Sequence, residues 1–371
     1  MMKKSKDVKA LYIHIPFCNH ICDYCDFPKL QYFRSFAEKY LEALEKEING
    51  YQIDNQLETI YIGGGTPTAL EDDLFKRLLS IVEPYSRSVK EYTIEANPES
   101  LSLEKLKMMK TFGVNRISIG VESTDDEILK LINRHHTFLD VKTAVLNARK
   151  MGFDNLNADL IIGLPHVNND RFIDDLRNIL SLDVEHISCY SLTVHENTMF
   201  YLRGINEPTD EFARTLYDIA EKMLKDNGFI HYEVSNWAKP NRESLHNFTY
   251  WKDEEYYGVG LGAAGYVHGV RYLNTRSLNK YLDGQIIAEE EVVSKEDDKT
   301  YFVMLNLRTN QGIDLEEYKA RFNEDLLIAN KTTIDDFIKS GHLYLDEEKK
   351  RLIATYDGMM ILDQIIMELT K

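Results

Sequence analysis

Residues 11–27, LYIHIPFCNHICDYCDF, constrain this chain more than any other stretch. Three of its four cysteines, Cys18, Cys22 and Cys25, stand there in a C-x3-C-x2-C arrangement. An alternating apolar run over 11–15 leads in and reads as a short strand. Pro16 ends it and delivers the cysteines onto a loop. Thiolates this close in sequence converge on one metal centre. A structural zinc site wants four closed ligands, usually from paired C-x2-C units, whereas three thiolates suit a four-iron cube and leave one iron open. The plainer alternative is three buried thiols on a turn that bind zinc adventitiously. It carries less weight, because clustered cysteines outside secreted scaffolds usually bind metal.

The spacing resembles that of the radical S-adenosylmethionine (SAM) superfamily. The resemblance implies that Cys18, Cys22 and Cys25 hold a [4Fe–4S] cluster and that SAM chelates the open iron through its amino and carboxylate groups. One electron from the cluster then cleaves the sulfonium to a 5′-deoxyadenosyl radical. Tyr12, six positions before Cys18, and the intervening His14-Ile15-Pro16-Phe17 narrow the likeness. They resemble the oxygen-independent coproporphyrinogen III oxidase family and its heme-chaperone branch. The likeness covers roughly residues 10–275.

A length of 371 residues allows about two or three domains and a large buried core. Four cysteines with three clustered form no disulfide framework, which points to a reducing cytoplasm. Residues 1–9 are basic and polar with no apolar h-region after them, so no signal peptide is expected. No apolar run approaches the length of a membrane span, which leaves at most a peripheral membrane contact. The net charge of −17 argues against a nucleic-acid partner, since nothing forms a basic patch.

Short apolar runs then alternate with amphipathic stretches. Strands are expected over 11–15, 58–62, 92–96, 115–121, 156–162 and 185–192. Helices are expected over 34–51, 72–83, 103–112, 124–132 with 139–151, and 170–180; Gly113 ends the third in the C-terminal manner. Six βα repeats require a parallel sheet, and their regular length suggests a barrel. The resemblance implies the same α/β fold, a partial (βα)6 radical SAM barrel over residues 1–275. A smaller winged-helix-like domain is expected over 276–371, where helices (294–307, 314–322, 333–339, 358–369) surround a hairpin formed by 343–345 and 351–354.

In such barrels chemistry gathers at the C-terminal ends of the strands, where the distinctive polar words fall. Gly63-Gly64-Gly65-Thr66-Pro67 follows the second strand, and its glycines let the backbone approach a ligand. By resemblance Gly64, Gly65 and Thr66 hold the amino group of SAM, and Glu95 contacts its ribose hydroxyls, as a carboxylate accepting two hydrogen bonds can. The same resemblance assigns SAM contacts to Tyr12, Tyr24, Glu122, Arg134 and Asp159. Glu122 departs from the family pattern, which has glutamine there: ionised glutamate only accepts hydrogen bonds, whereas glutamine also donates.

His246-Asn247-Phe248-Thr249-Tyr250-Trp251 matches the HNxxYW motif of the heme-chaperone branch, associated there with heme. Imidazole is the usual ligand of heme iron and aromatic neighbours cover a porphyrin face, so His246, read as lying in a loop, is the candidate heme residue at the open end of the barrel. Nothing in the sequence excludes Tyr250 or another histidine. The glycine-rich run 256–272 reads as strand or loop packed closely on the barrel mouth. Cys189 is expected in the core. His135, His136 and His195 have no ligand spacing and receive no role.

Three functions compete. The first is a heme chaperone that binds the cluster, SAM and heme, delivers heme to respiratory hemoproteins and draws on an electron donor. The second is the oxidase, decarboxylating coproporphyrinogen III with the SAM-derived radical. The third is a zinc-stabilised barrel with purely structural thiols. The oxidases carry a fourth cysteine two positions past the third, where this chain has Phe27, and a longer arm before the cysteines. Both features, with HNFTYW, favour the chaperone, and leave open whether the chain is also an enzyme.

Overall fold

The structure is a computed structural model that describes residues 8–51, 53 and 56–371. Most of the basic segment 1–9, read for its lack of a leader, lies outside the described residues. Six parallel strands carry the fold: β1 (Ala10–Ile15), β2 (Thr59–Gly64), β3 (Glu91–Ala96), β4 (Arg116–Glu122), β5 (Leu156–Ile162) and β6 (His186–Ser191). They pair in sequence order. Parallel neighbours need crossover connections. The helices Arg34–Gly50, Asp72–Val82, Leu103–Thr111, Phe138–Lys150 and Asn169–Leu180 supply them. Gly113, at φ +86°, follows the third as expected.

Three short strands extend this sheet: β7 (Ile230–Glu233), β8 (Asn236–Ala238) and β9 (Tyr257–Val259). The order is β9-β1-β2-β3-β4-β5-β6-β8-β7, with β9 parallel to β1, and β8 antiparallel to both β6 and β7. The outermost strands do not pair with each other, so the barrel is partial, as expected.

Side chains alternate across each strand. Leu11, Ile13, Ile15, Ile60, Ile62, Ile94, Ile117 and Ile119 are buried in the apolar core. The opposite face carries Tyr61, Glu95, Ser118 and Asp159, which line a polar interior.

One sequence expectation changes. The HNFTYW segment is not a loop: Leu245–Trp251 is a helix, capped by the Ser244 side chain. The glycine-rich run forms β9 and an antiparallel pair, Ala264–Val267 with Val270–Asn274, to which Ile287–Val292 adds a third strand. A boundary at 275/276 would divide that sheet. The residues beyond it build a second apolar core, with Phe302, Val303, Ile313, Leu343, Leu352 and Ile365 at its centre. There the expected hairpin gains a third strand, Ile313–Asp314, and the last helix is broken at Ile361 into Tyr356–Met360 and Leu362–Leu369.

Candidate cofactor site

A cavity of about 410 Å³ opens at the C-terminal ends of the barrel strands. Cys18, Cys22, Tyr24, Cys25, Gly64, Gly65, Thr66, Glu95, Glu122, Arg134 and Asp159 all line it. The cysteine loop is held by backbone bonds: Gly65 N donates to Ile15 O at 2.8 Å, Thr66 N to Phe17 O at 2.8 Å, and Tyr32 N to Cys18 O at 2.9 Å. Asn133 Nδ2 donates to Ile21 O at 2.8 Å and ties in the far side. Burial pushes the Cys18 thiol up to about 11 and that of Cys25 up to about 12.

The glycines are required by space. A Cβ on Gly65 would stand 3.0 Å from the Cys18 sulfur and 2.8 Å from the Pro16 carbonyl carbon. Gly64 has φ +111°, and a Cβ there would meet the His14 ring at 2.5 Å. Tyr12 does not line the cavity. Its hydroxyl pairs with His14 Nδ1 at 2.9 Å, and His14 Nε2 with Pro28 O at 2.7 Å. Tyr12 thus fixes the ring that presses on Gly64.

Glu95 accepts from Tyr61 Oη at 2.8 Å and from Gly64 N at 2.9 Å. Burial nevertheless pushes its carboxyl up to about 7. Glu122, a non-glycine residue at φ +66°, is likewise pushed by burial to about 7. Its Oε1 lies 3.4 Å from Arg134 Nη2. Arg134 donates to Asn97 Oδ1 at 3.0 Å, to the Gly120 carbonyl, and to Cys22 Sγ at 3.7 Å, while its buried Nε has no partner among the described residues. Asp159 accepts from Asn157 at 2.7 Å and Ser118 at 3.1 Å. Sequence reasoning missed Tyr61, Asn97, Ser118, Tyr190, His20 and His195, which also line the cavity. For Tyr61 and Ser118 a signal existed: each shares strand parity with an inward-facing residue beside it in the sheet, since Glu95 pairs with Ser118 in register.

The HNFTYW helix stands at the other end. Thr59 and Glu91, the first residues of β2 and β3, hold it. The Glu91 carboxylate accepts from Ser244 Oγ at 3.2 Å, Leu245 N at 2.9 Å and His246 N at 3.0 Å. His246 is fully buried, with Nδ1 bonded to Thr59 Oγ1 and Nε2 to Tyr250 Oη, both at 2.8 Å. Burial pushes the imidazole down to about 3. The expectation of His246 at the open end is therefore corrected. It closes the floor of the barrel with both ring nitrogens engaged, one by Thr59 at a strand start and the other by Tyr250 one turn along its own helix.

Residues 12–179 match the Radical SAM superfamily, and residues 293–361 match the HemN C-terminal domain. The heme chaperone HemW of Bacillus subtilis is 37% identical over 96% of this chain and 98% of its own length. HemW of Lactococcus lactis is 38% identical over 92% of each chain, and that of Escherichia coli 32% over 96% and 97%. The chain belongs to the HemW family of radical SAM proteins. The structure of the E. coli coproporphyrinogen III oxidase HemN, at 22% identity, shares the fold with a TM-score of 0.86 over 99% of this chain and 91% of that one.

The HemW family, as a radical SAM family, implies a [4Fe–4S] cluster and SAM, and the cavity suits them. Three thiols of one loop open on one space that the glycines keep clear, and the buried Nε of Arg134, whose Nη1 reaches Cys22, lacks a partner among the described residues. Among the described residues no three or more His, Cys, Asp or Glu are gathered for a single ion. A four-iron cube would offer each of the three thiolates its own iron. Among the same residues no helix is long and apolar enough to cross a membrane.

Proposed function

We propose that this HemW-family chain is a heme chaperone that carries a [4Fe–4S] cluster and SAM and delivers heme to hemoproteins, respiratory ones among them. Convergence of Cys18, Cys22 and Cys25 on the cavity that Gly64, Glu95 and Asp159 share carries the reading. Whole-length likeness to relatives named heme chaperone HemW gives it its direction. The three cysteines would hold the cluster, and the bound cluster supplies an electron to SAM from an outside donor. Gly64, Gly65 and Thr66 would receive the amino group of SAM and Glu95 its ribose hydroxyls, through lone pairs that Tyr61 and Gly64 leave free. Asp159 and Arg134 complete the seat, and Glu122, with its carboxyl near neutrality, can donate as glutamine would while protonated.

The test is anaerobic reconstitution with iron and sulfide. Hemin titration followed by transfer to an apo-hemoprotein then runs beside an assay for decarboxylation of coproporphyrinogen III with SAM and reductant. Saturable heme binding and transfer without decarboxylated product is the expected result. Product formation would replace the chaperone by the oxidase. Replacing the three cysteines by alanine abolishes the cluster; heme transfer that survives this undiminished would remove the cluster from the transfer step.

A further inference from the structure

With His246 occupied at the floor, heme needs another ligand. The chain has eleven histidines. His14, His136, His186 and His246 are buried, and all four rings hold hydrogen bonds. His231 stacks on Trp237 at 4.1 Å and pairs with Glu221. Only His20 and His195 line the cavity. The His20 ring lies flat on that of His135, centroids 3.7 Å apart at 18°. Coordination sets a porphyrin plane perpendicular to its imidazole, so a parallel ring this close obstructs it.

His195 has the opposite surroundings. Its side chain is 49% exposed, and Nε2 lies 3.4 Å from Asp26 Oδ2. A carboxylate on one ring nitrogen is the usual partner of a metal-ligating histidine, fixing its tautomer and raising its basicity. No hydrogen bond among the described residues engages Nδ1. Apolar surface flanks the pair: Phe27, next to Asp26, is 62% exposed, and Met199 and Leu202, in the short helix after His195, are 43% and 72% exposed. That helix is pinned to the cysteine loop by Phe200 N donating to Asp23 O at 3.0 Å. Imidazole, carboxylate and Phe27 thus line the cavity together, and the helix with Met199 and Leu202 follows four residues after His195.

The geometry points to His195 as the axial ligand of a heme that docks on this rim, over the cluster and SAM cavity, with Phe27, Met199 and Leu202 against the porphyrin. This rests on the heme-chaperone reading. A single, half-exposed imidazole leaves the second axial position free for a recipient, which suits cargo that must be handed on. One ring nitrogen of His195 would ligate the iron while Asp26 orients the ring, and no electron moves.

The test uses the full chain, reconstituted anaerobically and supplied with SAM, titrated with hemin and followed at the Soret band. His195→Ala should weaken binding roughly tenfold or more, and free imidazole should restore the wild-type spectrum. His195→Cys should replace the histidine-type spectrum with a thiolate one, which decides the matter even if the alanine variant folds poorly. A His195→Ala protein that binds with wild-type affinity and spectrum would overturn the site while leaving the chaperone reading intact. A wild-type protein that binds no hemin would overturn both.

Discussion

At Glu95 burial and hydrogen bonding oppose each other, and burial wins. The carboxyl moves up to about 7 despite donors from Tyr61 and Gly64. A carboxyl whose folded pKa exceeds its unfolded one stabilises the fold below the unfolded value and loses that contribution as pH rises through the folded value. Metal-free protein should therefore lose up to roughly 3 kcal/mol from this group between about pH 4.5 and 7, at about 1.4 kcal/mol per unit. Urea unfolding at pH 5 and pH 7.5 checks it: the stability difference between wild type and Glu95→Gln should change by that amount across the window. Gly64→Ala tests the same corner sterically. With φ +111° and the His14 ring 2.5 Å from the new Cβ, it should cost about 1–3 kcal/mol. SAM binding, measured by calorimetry, should be lost with it. Gly64 and Glu95 were legible because each ends a strand in a recognisable word. Tyr61 was missed because a tyrosine inside a strand announces nothing by itself; only its register with Thr93, which shares the parity of Glu95, turns it toward the lumen.

Among the elements, the HNFTYW helix is held chiefly by one side chain. Glu91 accepts three hydrogen bonds from its start and is buried. Glu91→Ala leaves those three donors without acceptors and should cost at least roughly 3 kcal/mol, at about 1 to 3 kcal/mol per buried unsatisfied group. Thermal or urea unfolding reads this directly. His246→Gln, which keeps one of two hydrogen bonds, should lower stability by about 1–2 kcal/mol yet leave the position of the heme Soret band unchanged. A shifted band would return the motif to heme. The sequence showed the motif, but its aromatic character fits a porphyrin face and a barrel floor equally well. Only the partners, Thr59 and Glu91 from distant strands, decide between them.

Across the whole molecule, a buried ionic network ties the barrel to the C-terminal helices. Asp253, its side chain 1% exposed, pairs with both Arg271 and Arg321, and Arg321 also reaches Asp298. Asp253 lies just past the floor helix and Arg321 in the helix Leu315–Phe322, so the network spans both apolar cores. Arg321→Met leaves Asp253 and Asp298 buried with one partner fewer. Removing one partner of such a pair typically costs about 3–5 kcal/mol. The expected outcome is a separate, earlier unfolding transition for the C-terminal segment in calorimetry, with faster proteolytic cleavage between the two cores. A single unshifted transition would show that the apolar contacts alone couple them.

The βα rhythm, the partial barrel and the cysteine and glycine words at the strand ends are legible along the chain. These depend on periodicity and on residues adjacent in the chain. The sequence left undecided which end of the barrel the HNFTYW motif occupies and what stands beside His195. Both depend on contacts between residues far apart in sequence, Glu91 with His246 and Asp26 with His195. Spacing along a chain carries no record of such contacts. Tertiary structure supplied them, because burial makes each polar group find a partner wherever the fold brings one.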